Sequence, residues 1–163
     1  MSMHELDLPG RTLSEPELEE LAARIARRDD LVRPLVRFWA DERHCASFYA
    51  DEHVGIWVIS WLPGQDTGFH DHAGSHGAVA VVEGCVREER PAWGPLARVL
   101  DARASEAFAF GDADIHRVYA VGDEPAVTVH AYSPPLHAMT VYRVDDDGIV
   151  ESSTVRWDET LVA

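Results

Sequence analysis

From about residue 44 onward the chain is a succession of short extended runs separated by turns, and this rhythm constrains the fold more than any other feature. Residues 54–62 are rich in Val, Ile and Trp. Residues 78–83 and 85–89 flank Gly84 and predict a hairpin. Further runs follow at 97–100, 107–110, 117–121, 126–133 and 138–144. Many short strands at close spacing predict a sandwich or barrel. Within 126–133, Val127, Val129 and Ala131 alternate with Thr128, His130 and Tyr132. Strand side chains alternate between faces, so the first set is expected to pack outward against another sheet and the second to line an interior face. The polar tail from Glu151 is expected to end as an edge strand or arm.

The first part of the chain reads differently. Residues 1–13 carry no pattern and are expected to form a loose arm. Ser14-Glu15-Pro16-Glu17 reads as a helix start, with Ser14 as N-cap, Pro16 in the first turn and Glu17 closing a capping box. Leu18, Leu21, Ala22, Ile25 and Ala26 recur at helical spacing, giving one inward face. Asp29-Asp30 reads as a second N-cap, and Leu31, Leu35 and Phe38 suggest a short second helix. The expectation is one domain over residues 1–163, with helices at about 14–39 covering one end of a barrel at about 44–150. A length of 163 residues suits one core. No repeat, low-complexity tract or linker divides it.

Composition excludes some partners. Hydrophobic residues make up 46% and charged residues 26% of the chain, a globular balance. The net charge of −15 and the absence of a basic patch argue against nucleic acid and against an anionic membrane surface. Cys45 and Cys85 stand far apart with no CxxC pairing, which points to a reducing compartment rather than a disulfide framework. No basic-then-apolar leader is visible and no apolar run approaches membrane-spanning length. A soluble cytoplasmic protein is the expectation. No feature specifies an oligomeric state.

Chemistry concentrates between Gly64 and Gly84. His70 and His72 are one residue apart, so in a strand both imidazoles reach toward one point, and a metal ion is the simplest thing to place there. Gly64, His70, His72 and Gly84 resemble the first motif of the cupin superfamily, a small jelly-roll β-barrel with a metal in its mouth. Residues 110–116, Phe-Gly-Asp-Ala-Asp-Ile-His, resemble the second. The resemblance implies a three-histidine site of His70, His72 and His116, with Gly77 where cupins often carry a ligating glutamate. Three neutral imidazoles leave a divalent metal its full charge, so such a site gains from an anionic, soft donor such as a thiolate. Imidazole ligands suit iron, copper, zinc or nickel.

A more specific resemblance is to the cysteine dioxygenase family of thiol dioxygenases, in its bacterial type. It rests on His70-Asp71-His72 followed by Ser75, on Ile115-His116-Arg117-Val118, and on His130-Ala131-Tyr132-Ser133-Pro134-Pro135. It implies one mononuclear Fe(II) per chain on His70, His72 and His116. It also implies a relay of Thr128, His130 and Tyr132, with Thr128 in place of the usual serine, and a cis peptide at Ser133-Pro134. The implied reaction transfers both atoms of O2 to the sulfur of a small thiol or thione, giving a sulfinic acid. In it Tyr132 hydrogen-bonds iron-bound oxygen or substrate, His130 orients Tyr132, and Thr128 fixes the tautomer of His130.

Two positions depart from the family pattern. Animal members carry a crosslinking cysteine where this chain has Gly77, so no thioether to Tyr132 is expected. Cysteine-oxidising members hold the substrate carboxylate with an arginine before the first core strand. Counting back without gaps from Trp57 and Trp61 places that region on residues 44–49, which contain no arginine. Arg43 would serve only if the register shifts. The expected substrate is therefore a thiol or thione other than free cysteine, in a pocket walled by Tyr132, Trp61, Phe69, Ile59, Tyr49 and Met139, with Ser47 nearby. His76, Asp71 and Asp66 read as a solvated rim or as donors behind the site, and Arg117 as one half of a structural ion pair. His4, His44, His53 and His137 have no assigned role. The alternatives are a cupin isomerase, a C–C-cleaving dioxygenase, or a non-catalytic ligand-binding cupin.

Overall fold

The computed structural model describes residues 6, 8–91, 98–145 and 148–156 of the chain. Residues 1–5, which include His4, and residues 7, 92–97, 146–147 and 157–163 lie outside them. A five-stranded sheet runs β1-β2-β9-β4-β7, with β1 at His44–Ala50, β2 at Gly55–Trp61, β4 at His76–Glu83, β7 at Ala107–Phe110 and β9 at Ala126–Ser133. A second sheet pairs β6 (Arg98–Arg103), β5 (Cys85–Arg90) and β8 (Arg117–Ala120). The third pairs β11 (Gly148–Arg156), β10 (Ala138–Asp145) and the two-residue β3 (Phe69–His70). Together they make the jelly-roll barrel expected of a cupin, preceded by a short helical segment.

The β-strand positions match the extended runs, but one pairing does not. β4 and β5 are not a hairpin: β4 pairs with β9 and β7, whereas β5 pairs with β6 and β8. Gly84 between them is the corner at which the chain passes from one sheet to the other. It adopts φ +76, and a Cβ there would lie 2.5 Å from the Pro125 carbonyl oxygen. A turn glycine thus marks a change of sheet here rather than a reversal within one.

Helix α1 (Glu15–Ala26) begins as the sequence predicts, the Ser14 N–H donating to the Glu17 carboxylate at 2.9 Å. Its Leu18, Leu21, Ala22 and Ile25 are buried against Ile56, Val58, Ala78, Ala80, Val127, Val129 and Ala131. The outward face of β9 therefore packs against a helix and not, as expected, against another sheet. The second helix, α2 (Asp29–Val32), is capped by Arg28 and runs into a 3-10 turn at Arg33–Leu35; Phe38 lies beyond it, exposed. The first residues are not wholly loose. Leu6 and Leu13 are buried, and the Leu13 N–H donates to Ser133 Oγ at 2.9 Å. Ser133-Pro134 is cis. Among the described residues no helix is long and apolar enough to cross a membrane.

Inside the barrel a second cluster of Ile59, Val79, Val81, Val86, Phe108, Phe110, Val118 and Tyr132 packs together, and His70, His116 and His130 meet beside it.

Candidate metal centre

His70 closes β3, His72 follows in the next turn, and His116 immediately precedes β8. Backbone pairing brings two of them together directly. The His70 N–H donates to the His116 carbonyl at 2.8 Å, and the His116 N–H to the His70 carbonyl at 3.0 Å. The turn carrying His72 is pinned by Asp71. Its carboxylate accepts from the Tyr142 hydroxyl at 2.6 Å and from the Ala73 and Thr140 N–H groups. Asp71 is thus a fastening between the histidine turn and β10.

The three rings stand 4.8–4.9 Å apart between centroids, and their offered ligand atoms lie within 4.8 Å of one another. All three are buried. His70 Nδ1 faces the Gly68 carbonyl at 3.0 Å. A carbonyl only accepts, so that nitrogen carries the proton and Nε2 keeps its lone pair. His116 Nδ1 faces Glu88 Oε1 at 2.8 Å, which leaves its Nε2 free in the same way. His72 Nε2 approaches His70 Nε2 to 3.1 Å, so their lone-pair nitrogens share one point. Burial, helped by the neighbouring imidazoles, pushes His70 down to about 3 and His72 well below its ordinary value. Neutral, converging imidazoles fit a divalent transition metal.

Gly77 explains why no carboxylate joins them. A Cβ there would lie 2.2 Å from the Phe110 ring. That ring fills the space instead, stacked on His72 and tilted against His116 at 4.4 Å each. The sequence had singled out neither Phe110 nor this reason for the glycine.

Beside the histidines lies a cavity of about 260 Å³. His70, His116, His130 and Tyr132 form its polar wall; Trp57, Ile59, Val118, Leu136 and Met139 form its apolar wall; Arg43, Cys45 and Thr67 complete it. A wider groove of about 740 Å³ along α1 contains none of the clustered histidines. Along the inner face of β9, Thr128 Oγ1 lies 2.9 Å from His130 Nε2, and His130 Nδ1 lies 3.2 Å from the Tyr132 hydroxyl. Burial pushes His130 down to about 3 and raises the Tyr132 phenol well above its ordinary value. Both are neutral near pH 7.

Not every expected wall residue reaches this cavity. Ile59, Met139 and Tyr132 line it. Trp61 does not: it is fully buried behind the relay, its indole N–H donating to Thr128 Oγ1 at 2.8 Å. Phe69 alternates outward from His70 and lies under the Arg117 guanidinium. Tyr49 packs with the helical core and donates to Asp51 at 2.7 Å. Ser47 shares a strand face with Arg43 and Cys45 but lies beyond the rim, exposed. Arg117 is held by Asp66, and Asp66 is thereby committed. His76 stands toward α1, its Nδ1 3.5 Å from Glu15.

An arginine does line the cavity: Arg43, just upstream of residues 44–49. β1 carries a bulge between Ser47 and Tyr49. Arg43 lies over the Trp61 ring at 5.2 Å and donates to the Asp66 carbonyl. Its Nε is buried and has no hydrogen-bond partner among the described residues. Glu88, likewise unforeseen, is 1% exposed behind His116. The only sequence signal for it was its place in the alternation of β5.

The family model for cysteine dioxygenase type I matches residues 49–145. Human cysteine dioxygenase type 1 is 29% identical over 89 residues, 49% of this chain and 44% of that protein. The Bos taurus protein of the same name gives the same figures. The chain thus spans less than half the length of these curated relatives. Among solved structures it resembles a double-stranded β-helix protein from Klebsiella pneumoniae (TM-score 0.55, 19% identity, covering 63% of this chain and 86% of that one). It also resembles an RmlC-like cupin from Desulfovibrio desulfuricans (TM-score 0.53, 21% identity, covering 61% and 90%). At these identities the likeness is one of fold.

Proposed function

The chain belongs to the cysteine dioxygenase type I family, and from that membership we propose that it is a non-haem Fe(II)-dependent thiol dioxygenase, converting RSH and O2 to the sulfinic acid RSO2H. Atoms and electrons balance without a further reductant, because both oxygen atoms end on sulfur and sulfur supplies all the electrons. The observation that carries the reading is the convergence of His70, His72 and His116 on one point, beside a cavity that His70 and His116 line together with Tyr132 and Arg43.

The Nε2 atoms of the three histidines would hold one Fe(II). When bound, the ion supplies a centre that accepts a thiolate and O2 side by side and lets electrons pass from sulfur to oxygen. The remaining steps belong to the protein's own side chains. Arg43 is the only cationic side chain on the cavity wall among the described residues, and its guanidinium suits a substrate carboxylate. No carboxylate lines the cavity among the described residues, so an ammonium group gains no counter-charge there. Trp57, Ile59, Val118, Leu136 and Met139 keep water from the reacting sulfur.

Tyr132 holds its proton at Oη, pointed by His130. Trp61 can only donate, so it occupies one lone pair of Thr128. Thr128 turns its single hydrogen to His130 Nε2. His130 then carries its proton on Nδ1 and donates to Tyr132, whose own O–H is free for the bound substrate. Cys45 and Cys85 are free thiols, which suits a reducing cytoplasm.

The presence of Arg43 changes the expected substrate. A small thiol bearing a carboxylate, cysteine or 3-mercaptopropionate, fits better than one lacking it. Oxygen uptake by the Fe(II)-loaded protein should match sulfinate formation one to one with these two. It should be slow with cysteamine and with a heterocyclic thione. No uptake with any thiol would overturn the reading.

A further inference from the structure

We propose that Glu88 is a positioning residue for the metal: its buried carboxylate fixes His116 with Nε2 turned to the shared point and lends the all-histidine site a negative charge from behind the ring. The proposal rests on the metal-site reading above, but not on which substrate is oxidised.

The three histidines are backed in three different ways. His70 Nδ1 faces a neutral carbonyl, that of Gly68, at 3.0 Å. His72 Nδ1 is buried with no hydrogen-bond partner among the described residues, its ring held by stacking on Phe110. His116 Nδ1 alone meets a carboxylate, Glu88 Oε1, at 2.8 Å. Glu88 is brought there by β5, where it pairs with Val118, two residues past His116. It is 1% exposed, and its Oε2 is buried without a partner among the described residues.

Burying an acid this deeply is costly unless its charge is used. Arg90 offsets part of the cost, donating to the same Oε1 at 3.1–3.2 Å. Arg90 is itself shared with Asp114 at 2.6 Å and with the Ala109 carbonyl at 3.0 Å, so it does not cancel Glu88 outright. The group therefore keeps a net negative charge directed at His116. A carboxylate accepting from Nδ1–H increases the electron density at Nε2 and makes that nitrogen a stronger donor. Cupins that ligate through a glutamate place negative charge on the metal directly. Here Phe110 occupies that space opposite Gly77, and Glu88 supplies charge through the ligand instead.

The test compares Glu88→Gln, Glu88→Asp and Glu88→Ala with the wild type, with Glu89→Gln as a control. Glu89 lies on the opposite face of β5, against Arg117 and Tyr119. Co(II) and Fe(II) affinities are read anaerobically by chelator competition, and the Fe(III)/Fe(II) potential by titration. Glu88→Gln keeps an acceptor for Nδ1–H but loses the charge, so affinity should fall by about tenfold or more and the potential should rise. Glu88→Ala should lose more affinity. Glu88→Asp, which keeps the charge on a shorter arm, should hold its potential nearer the wild type, and Glu89→Gln should change neither quantity. Wild-type affinity and potential in Glu88→Gln would overturn the proposal, as would, should Glu88→Gln fail to fold, a potential shift in Glu88→Asp as large as that in Glu88→Ala. A wild type that binds metal yet oxidises no thiol would sink the proposed function and leave this inference standing. A wild type that binds neither ion would overturn both.

Discussion

In the proposed reaction Arg43 holds the substrate and Tyr132 acts on what is bound, so truncating each should give a different kinetic signature. A charge-assisted hydrogen bond contributes about 1.5–3 kcal/mol. Arg43→Ala should therefore raise KM for carboxylate-bearing thiols by about 10- to 100-fold and leave cysteamine little changed. An equal loss for cysteamine would show that Arg43 acts on the fold rather than on the carboxylate. Tyr132→Phe keeps the ring between Gly55 and Gly77 but removes the hydroxyl. It should lower kcat by about 100-fold with full metal content; loss of metal instead would make Tyr132 a structural residue. At this scale the sequence revealed whatever spacing along one strand can reveal. His70 and His72, and Thr128, His130 and Tyr132, are i and i+2 partners whose common face needs no tertiary knowledge. Arg43 and Glu88 reach the cavity and His116 through tertiary placement, and no local pattern distinguishes them from surface charges.

Elements position these residues through a few backbone constraints. The strands themselves were legible because alternation and turn residues are local properties. Their partners were not, since pairing depends on where the chain turns in space. Gly84 shows this: a hairpin and a sheet-to-sheet corner both need a left-handed glycine, and only the close approach of Pro125 and Ala126 distinguishes them. The bulge in β1 is a second case, since an extra residue on one strand shows only in its pairing with β2. Gly77 gives the sharpest test. A methyl group there must displace the Phe110 ring that stacks on His72, with strain of about 1–3 kcal/mol. Gly77→Ala should lower the denaturation midpoint and weaken metal binding together, and the double change Gly77→Ala with Phe110→Leu should restore part of the stability. Unchanged stability in the single variant would mean that the ring has room to move.

For the whole molecule, the cost of holding the site together should appear as pH dependence. Burial pushes His70 and His130 from an ordinary 6.5 down to about 3, and His72 well below its ordinary value. These groups stay neutral when folded but take up protons when unfolded. Their contribution is complete above pH 6.5 and is lost as pH falls from there toward 3. The net charge of −15 acts the other way, because acid relieves repulsion among exposed carboxylates. A tenfold weakening of proton binding on folding corresponds to about 1.4 kcal/mol, so the buried rings should dominate. The urea midpoint of the metal-free protein should hold from pH 7.5 to about pH 6.5 and fall from there to pH 5, and a flat profile down to pH 5 would mean that these rings are not buried neutral. The central claim is that this barrel holds iron on three histidines in order to oxidise sulfur. It is tested most directly by loading the protein with Fe(II) under anaerobic conditions, adding cysteine or 3-mercaptopropionate with 18O2, and weighing the product. The expected product is a sulfinate with two labelled oxygen atoms on sulfur from one turnover. An unlabelled or singly labelled product, or label on carbon, would contradict it.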